Sequence, residues 1–171
     1  SKECFRKTNF AKTLVSLNAI LPIDIAVKKL SRAAPDFHAR YSAKSRIYRY
    51  YFCFDKKAVN GGKYHRIKTD FNIDLAEKFC KLLVGIHSFK SLCKNKTDDH
   101  DFLSDVKYAK LRKLTGGIIE FEISASRFLH SMVRAILGAM LSIAAGKMSI
   151  KDFQSKFKKG EDIVIQYVPA N

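Results

Sequence analysis

No apolar run in this 171-residue chain is uninterrupted enough to cross a bilayer, and no segment reads as a signal peptide, so the sequence predicts a globular protein. Cysteine is scarce and scattered. Cys4, Cys53, Cys80 and Cys93 lie too far apart for any C-x-x-C unit, which excludes the common zinc and redox spacings and predicts reduced, buried thiols that fit the cytosol. His38, His65, His87, His100 and His130 show no ligand spacing, so no metal is expected. Acidic residues number 16 against 32 lysines and arginines, and the resulting +16 points to a polyanionic partner. The bases are spread over predicted strands and loops rather than along one amphipathic helix, which favours nucleic acid over a membrane; a solvated lysine-rich surface is the alternative. Familiar catalytic signatures are missing as well: there is no G-x-G-x-x-G, P-loop, G-x-S-x-G or H-E-x-x-H, and no aromatic core of the RRM type. Asp70 in "KTD" reads as a helix-start residue rather than a nucleophile.

What is present has the size of one domain spanning residues 1–171, long enough to bury roughly 70% of its unfolded surface. Phe10, Leu14, Leu17 and Leu21 recur at helical spacing up to Pro22. "IDIAVKKLS" (23–31) and, much more strongly, "RIYRYYFCF" (46–54) read as strands. A polar loop follows, turning at Gly61-Gly62. A second helix is capped by Asn72, runs through Leu75, Phe79 and Leu82, and stops at Gly85. After a charged loop at "KNKTDDHD" (94–101), "VKYAKLRKL" and "GIIEFEIS" flank Thr115-Gly116-Gly117 as a hairpin. Ser149, with Asp152 three residues on, starts a last helix that turns Ile150, Phe153 and Phe157 inward and ends at Gly160; "EDIVIQYV" (161–168) closes as a short strand. The mixture predicts an α+β fold, an antiparallel or mixed sheet with helices on one face.

Between the hairpin and the last helix lies "RFLHSMVRAILGAMLSIAAGK" (127–147), in which Ser142 is the only polar side chain from Ala135 to Ala145. Arg134 breaks this apolar pattern. A guanidinium stays charged, and its removal from water costs several kcal/mol unless a carboxylate or phosphate answers it. Something acidic is therefore expected to face Arg134, in a structural ion pair or in a site. His130, Arg134 and Gly138 fall at i, i+4 and i+8, and glycine leaves room for a close approach. Basic and aromatic residues concentrate in "DFHARYSAKSRIYRYYF" and "SRFLHSMVR". Arg40, Lys44, Arg46 and Arg49 could neutralise phosphates, and Tyr41, Tyr48, Tyr50 and Phe128 could stack on bases; His38, Arg127 and His130 complete the candidate RNA contacts. Strand alternation puts Arg46, Tyr48 and Tyr50 on one face and Ile47, Arg49 and Tyr51 on the other, so half of these lie away from any single site. Taken one at a time, a tyrosine is more often plain packing than a stacking platform.

In order and spacing, "FHARYSAKSRIYRYYF", "GIHSFKSL" and "RFLHSMVRAILGAMLSIAAGKMS" resemble the C-terminal half of the TruA-type tRNA pseudouridine synthases, a likeness that extends from Leu21 onward. The resemblance implies the pseudouridine synthase fold and isomerisation of uridine in the tRNA anticodon stem-loop, without a cofactor, by a homodimer with a basic cleft. It implies that Tyr48 stacks on the target base and that Arg134 pairs with the catalytic aspartate, whose pKa such a pair would lower. The chain departs from the family where that aspartate is expected. The G-R-T-D-x-G-V-H-A motif lies further upstream than the 47 residues before Tyr48 allow, and the G-L-x-L strand that follows "VPA" is missing. Ser88, Ser131 and Ala135 also differ from common family residues. The expectation is a shortened chain, inactive by itself, that lacks the N-terminal domain and nucleophile. A non-catalytic basic RNA-binding module is the alternative, and a ribosome-associated structural protein a further one that leaves Arg134 without a role.

Overall fold

The computed structural model describes residues 9–55, 64–67, 70–94, 96 and 101–169. Cys4, the turn at Gly61-Gly62 and most of the charged loop 94–101 lie outside the described residues. The chain divides into two compact units, residues 1–43 and 44–171.

In the first unit, helix α1 (Phe10–Ile20) follows the predicted apolar spacing. The Asn9 side chain accepts from the N–H groups of Ala11 and Lys12, meeting two donors that a helix start leaves without intrahelical partners. The strand predicted at 23–31 forms no ladder. A strand needs a neighbour for its peptide groups, and here a side chain takes that place: Asn18 donates to the Val27 carbonyl (2.9 Å) and accepts from the Val27 N–H (2.7 Å). Further on, His38 organises a turn. Its Nδ1 accepts from the N–H groups of Arg40 (3.2 Å) and Tyr41 (3.4 Å), its ring lies 4.4 Å from that of Tyr41, and the Arg40 guanidinium sits 5.7 Å from the Tyr41 centroid.

The second unit is built on a five-stranded mixed sheet in the order β2-β1-β5-β4-β3. β1 (Arg46–Cys53) is the strand its aromatic and branched residues predict, and it runs antiparallel to β5 (Ile118–Ala125). β4 (Leu103–Leu114) joins β5 in the predicted hairpin, whose turn needs Gly116 (φ 72°) and Gly117 (φ 70°), a region costly for any residue with a Cβ. Two short strands were not legible in the sequence. β2 (His65–Arg66), inside the predicted polar loop, pairs parallel to Phe52 and Cys53, and β3 (Gly85–Ser88) pairs antiparallel to β4.

Three helices cover one face. α2 (Ile73–Leu82) starts at Asn72, whose side chain accepts from the Leu75 N–H and whose own N–H donates to Ala144, the end of α3. α3 (Met132–Ala144) is the apolar segment, with every residue from Ala135 to Met140 buried. α4 (Ile150–Lys159) is capped by Ser149 and ends at Gly160, as predicted, with Phe153 and Phe157 buried. Sheet residues Phe52, Ile119, Phe121 and Ile123 meet this layer, and Phe121 and Ile123 are fully buried. Truncating such a phenylalanine to alanine costs about 3–5 kcal/mol.

Two expectations are corrected here. The closing stretch 161–168 is extended but joins no ladder among the described residues; at its end the Val168 N–H and carbonyl both meet Arg134 of α3. His130 does not share a helical face with Arg134 and Gly138, since α3 begins only at Met132. Ser131 before it takes a left-handed conformation (φ 62°) that breaks the helical spacing.

Candidate RNA-binding and catalytic site

The two faces of the sheet treat charge in opposite ways. On the open face, β5 presents Glu120 and Glu122, 7% and 2% exposed. Their direct cross-strand neighbours are Tyr51 and Arg49 of β1 and Arg112 and Lys110 of β4, all projecting to the same side. Arg49 Nε donates to Glu122 at 2.5 Å; Lys110 reaches the other oxygen at 3.0 Å and Arg112 the same oxygen at 2.8 Å. Arg112 also pairs with Glu120 at 3.2 Å. Hydrogen bonds from Lys110 and Arg49 hold the Glu122 carboxyl at about 2, against an ordinary 4.5, although burial pushes it the other way. The same bond to Glu122 raises Arg49, and a hydrogen bond to Glu120 raises the Tyr51 hydroxyl. The charges here answer one another.

On the helix side, Tyr48 and Tyr50 align with the core residues Ile123 and Phe121. Tyr48 lies beyond the helix layer. Its ring is 49% exposed and meets the edge of Phe128, with centroids 4.9 Å apart at 76°. Phe128 belongs to the loop 126–131, which backbone bonds hold at several points. Arg46 Nη1 donates to the Ser126 carbonyl (2.6 Å), Ser104 Oγ to that of Arg127 (2.6 Å) and the Lys94 N–H to that of His130 (3.2 Å). Arg127 pairs with Asp101 at 3.3 Å.

Arg134 sits in the first turn of α3, half-buried. Its Nε donates to the Val168 carbonyl at 2.6 Å, and no carboxylate among the described residues pairs with it. The apolar helix thus holds a cation whose planar fork, Nη1 and Nη2, is left to bind something else. Gly138, one turn on, has the use its spacing predicted, with a different visitor. A Cβ there would lie 2.2 Å from the Gln166 carbonyl oxygen, so glycine lets the chain's last stretch cross α3 directly. Tyr50 Oη donates to the Pro169 carbonyl at 3.1 Å, and the Lys94 ammonium lies 5.5 Å from the Tyr167 ring. Beside this stretch a cleft of about 410 Å³ is lined by His65, Arg66, Gly138, Ser142, Gln166 and Pro169, among others.

The predicted site residues therefore separate. Tyr48, Phe128, Arg46, Arg127 and His130 gather around β1 and the 126–131 loop, while Arg134 joins Tyr50 through the C-terminal stretch. Arg49 is carried to the opposite face. His38, Arg40 and Tyr41 belong to the first unit, and Lys44 is an exposed residue at the start of the second. The Glu120–Glu122 ladder went unread in the sequence, although "IEFEI" facing "KLR" across a Gly-Gly turn was a usable signal.

A mixed sheet covered by helices on one face is consistent with the pseudouridine synthase fold. A family profile described as tRNA pseudouridine synthase matches residues 79–171. Proteins named tRNA pseudouridine synthase A are similar over most of the chain. That of Azobacteroides pseudotrichonymphae is 33% identical over 91% of this chain and 62% of its own length. That of Bacillus licheniformis is 33% identical over 94% and 66%, and that of Bacteroides fragilis 34% over 84% and 57%. This chain belongs to the tRNA pseudouridine synthase family. It spans roughly three fifths of the length of the curated relatives it matches.

Proposed function

We propose that this chain is the C-terminal RNA-binding and catalytic-support domain of a tRNA pseudouridine synthase that isomerises uridine in the anticodon stem-loop, with the nucleophilic aspartate brought by a segment outside the described residues. The single observation that carries this reading is Arg134, a half-buried cation whose fork meets no carboxylate among the described residues. An aspartate arriving there would gain two charge-assisted hydrogen bonds, which lower its pKa and keep it ionised, as a nucleophile must be. The target uridine leaves the stem, and its exposed base stacks on Tyr48, whose ring Phe128 steadies from the edge. Isomerisation then exchanges the N1–C1′ bond for a C5–C1′ bond and releases the proton from C5.

Lys44, Arg46 and Arg127 of the second unit supply cations for the phosphates around this base, and Phe128 and His130 border it; His38 and Arg40, in the first unit, are further candidate RNA contacts. Arg49 contributes least, being paired on the opposite face. No metal or cofactor is required by this chemistry. Cys53, Cys80 and Cys93 are buried thiols, and burial pushes the Cys80 thiol up to about 12, thiol behaviour that suits a reducing compartment such as the cytosol. By the family resemblance the working form is a homodimer, which sedimentation of the full reading frame's product would reveal.

The test is tritium release from tRNA containing 5-tritiated uridine. The full reading frame's product is expected to release tritium, and the chain alone is expected to bind the tRNA without releasing any. Absence of release from both proteins would favour the second reading, a basic RNA-binding module without chemistry.

A further inference from the structure

Arg134 is not held by its helix alone. Four contacts fasten residues 166–169 across α3. The Val168 carbonyl accepts from Arg134 Nε (2.6 Å), and the Val168 N–H approaches the Arg134 carbonyl (3.5 Å). The Pro169 carbonyl accepts from Tyr50 Oη (3.1 Å), and Gln166 rests where Gly138 has no side chain. Val168 itself is 4% exposed, so its carbonyl is a fixed acceptor. An arginine has a long, rotamer-rich side chain, and anchoring Nε to a fixed acceptor leaves the two Nη groups in one orientation.

We propose that Tyr50 is a positioning residue for Arg134: its hydroxyl clamps Pro169, which holds the Val168 carbonyl in place to orient the guanidinium fork toward an incoming carboxylate. The role rests on the proposed function only for the identity of that carboxylate; the clamp is a property of this chain. Burial raises the Tyr50 hydroxyl above its ordinary value, with the Arg134 charge opposing, so the phenol keeps its proton and can donate throughout the neutral range. The pairing also gives the R-I-Y-R-Y stretch a division of labour. In the proposed function Tyr48 meets the base, while Tyr50, two residues along the same face, bonds the stretch that holds Arg134.

The experiment compares the chain with Tyr50→Phe, which removes one oxygen and retains the ring. Exchange of the Arg134 Nε–H is followed by nitrogen-15 NMR, with Arg134→Lys to assign the signal. In the parent chain that proton is expected to exchange slowly. In Tyr50→Phe it is expected to exchange about five-fold faster, the effect of one lost neutral hydrogen bond, while amide signals from β3 and α4 stay unchanged. Gly138→Ala, which displaces the same stretch from the other side, is expected to move the same signal. In the full reading frame's product, Tyr50→Phe should lower kcat for pseudouridine formation and leave KM for tRNA unaltered. An unchanged Arg134 Nε–H in Tyr50→Phe would overturn the clamp even where the enzyme is active. A perturbed signal in a protein that never forms pseudouridine would leave the clamp standing and remove the proposed function instead.

Discussion

Arg49, on the open face of the sheet, and Arg134, in the apolar helix α3, are both arginines, and they differ in what answers them. Arg49 lies over Glu122 at 2.5 Å, inside a ladder in which two carboxylates are shared by three cations from the neighbouring strands. Among the described residues, Arg134 Nε is answered by a neutral group, the Val168 carbonyl, and no carboxylate pairs with the guanidinium. A charge that its own fold satisfies fixes register and covers a sheet face. A charge that its fold orients and then leaves available is a binding group. Counting arginines in the sequence treats the two alike.

The contrast can be broken or sharpened by experiment. The largest expected effect concerns salt. If Arg40, Lys44, Arg46 and Arg127 neutralise four phosphates, tRNA affinity falls about a hundred-fold between 50 and 200 mM salt, and a flat titration would remove these phosphate contacts. Tyr48→Leu in the full reading frame's product is expected to lose about 1–3 kcal/mol of base stacking, read as slower pseudouridine formation; a parental rate would remove Tyr48 from the reaction site. Lys44→Gln is expected to reduce the salt slope by about one, whereas Lys110→Gln, on the open face, leaves it unaltered. Equal slopes for these two variants would erase the distinction between the faces. The smallest effect is one of pH. Because the folded-state pKa of Glu122 is depressed to about 2, its contribution to stability is complete above its ordinary 4.5 and is lost as pH falls from there toward 2. Thermal unfolding of Glu122→Gln should therefore show a shallower acid decline than that of the parent chain, and parallel declines would contradict the ladder.

Much of the fold was legible because local signals agreed with it. β1, the Gly-Gly hairpin, the Asn72 and Ser149 caps and the apolar α3 each follow from spacing and side-chain chemistry within a short window. The two unpaired stretches were not legible, because strand-like composition at 23–31 and 161–168 says nothing about whether a neighbour is present. In one, the Val27 peptide groups bond Asn18, and in the other, those of Val168 bond Arg134 of α3. At the site, Arg134 stood out as a polar interruption in an apolar helix, and Gly138 as a gap. Three features depended on tertiary structure and stayed hidden: the Glu122 partners brought from β1 and β4, the kink at Ser131 that detaches His130 from α3, and the clamp from Tyr50 to Pro169, 119 residues apart.

The most direct test sets the two arginines side by side in the full reading frame's product, with tritium release from 5-tritiated uridine in tRNA as the measurement. Arg134→Lys keeps the charge but loses the planar fork, and its rate is expected to fall about a hundred-fold or more, while Arg49→Lys stays within about two-fold of the parent. A near-parental rate for Arg134→Lys, or equal losses for both variants, would contradict the assignment of Arg134 to the reacting aspartate.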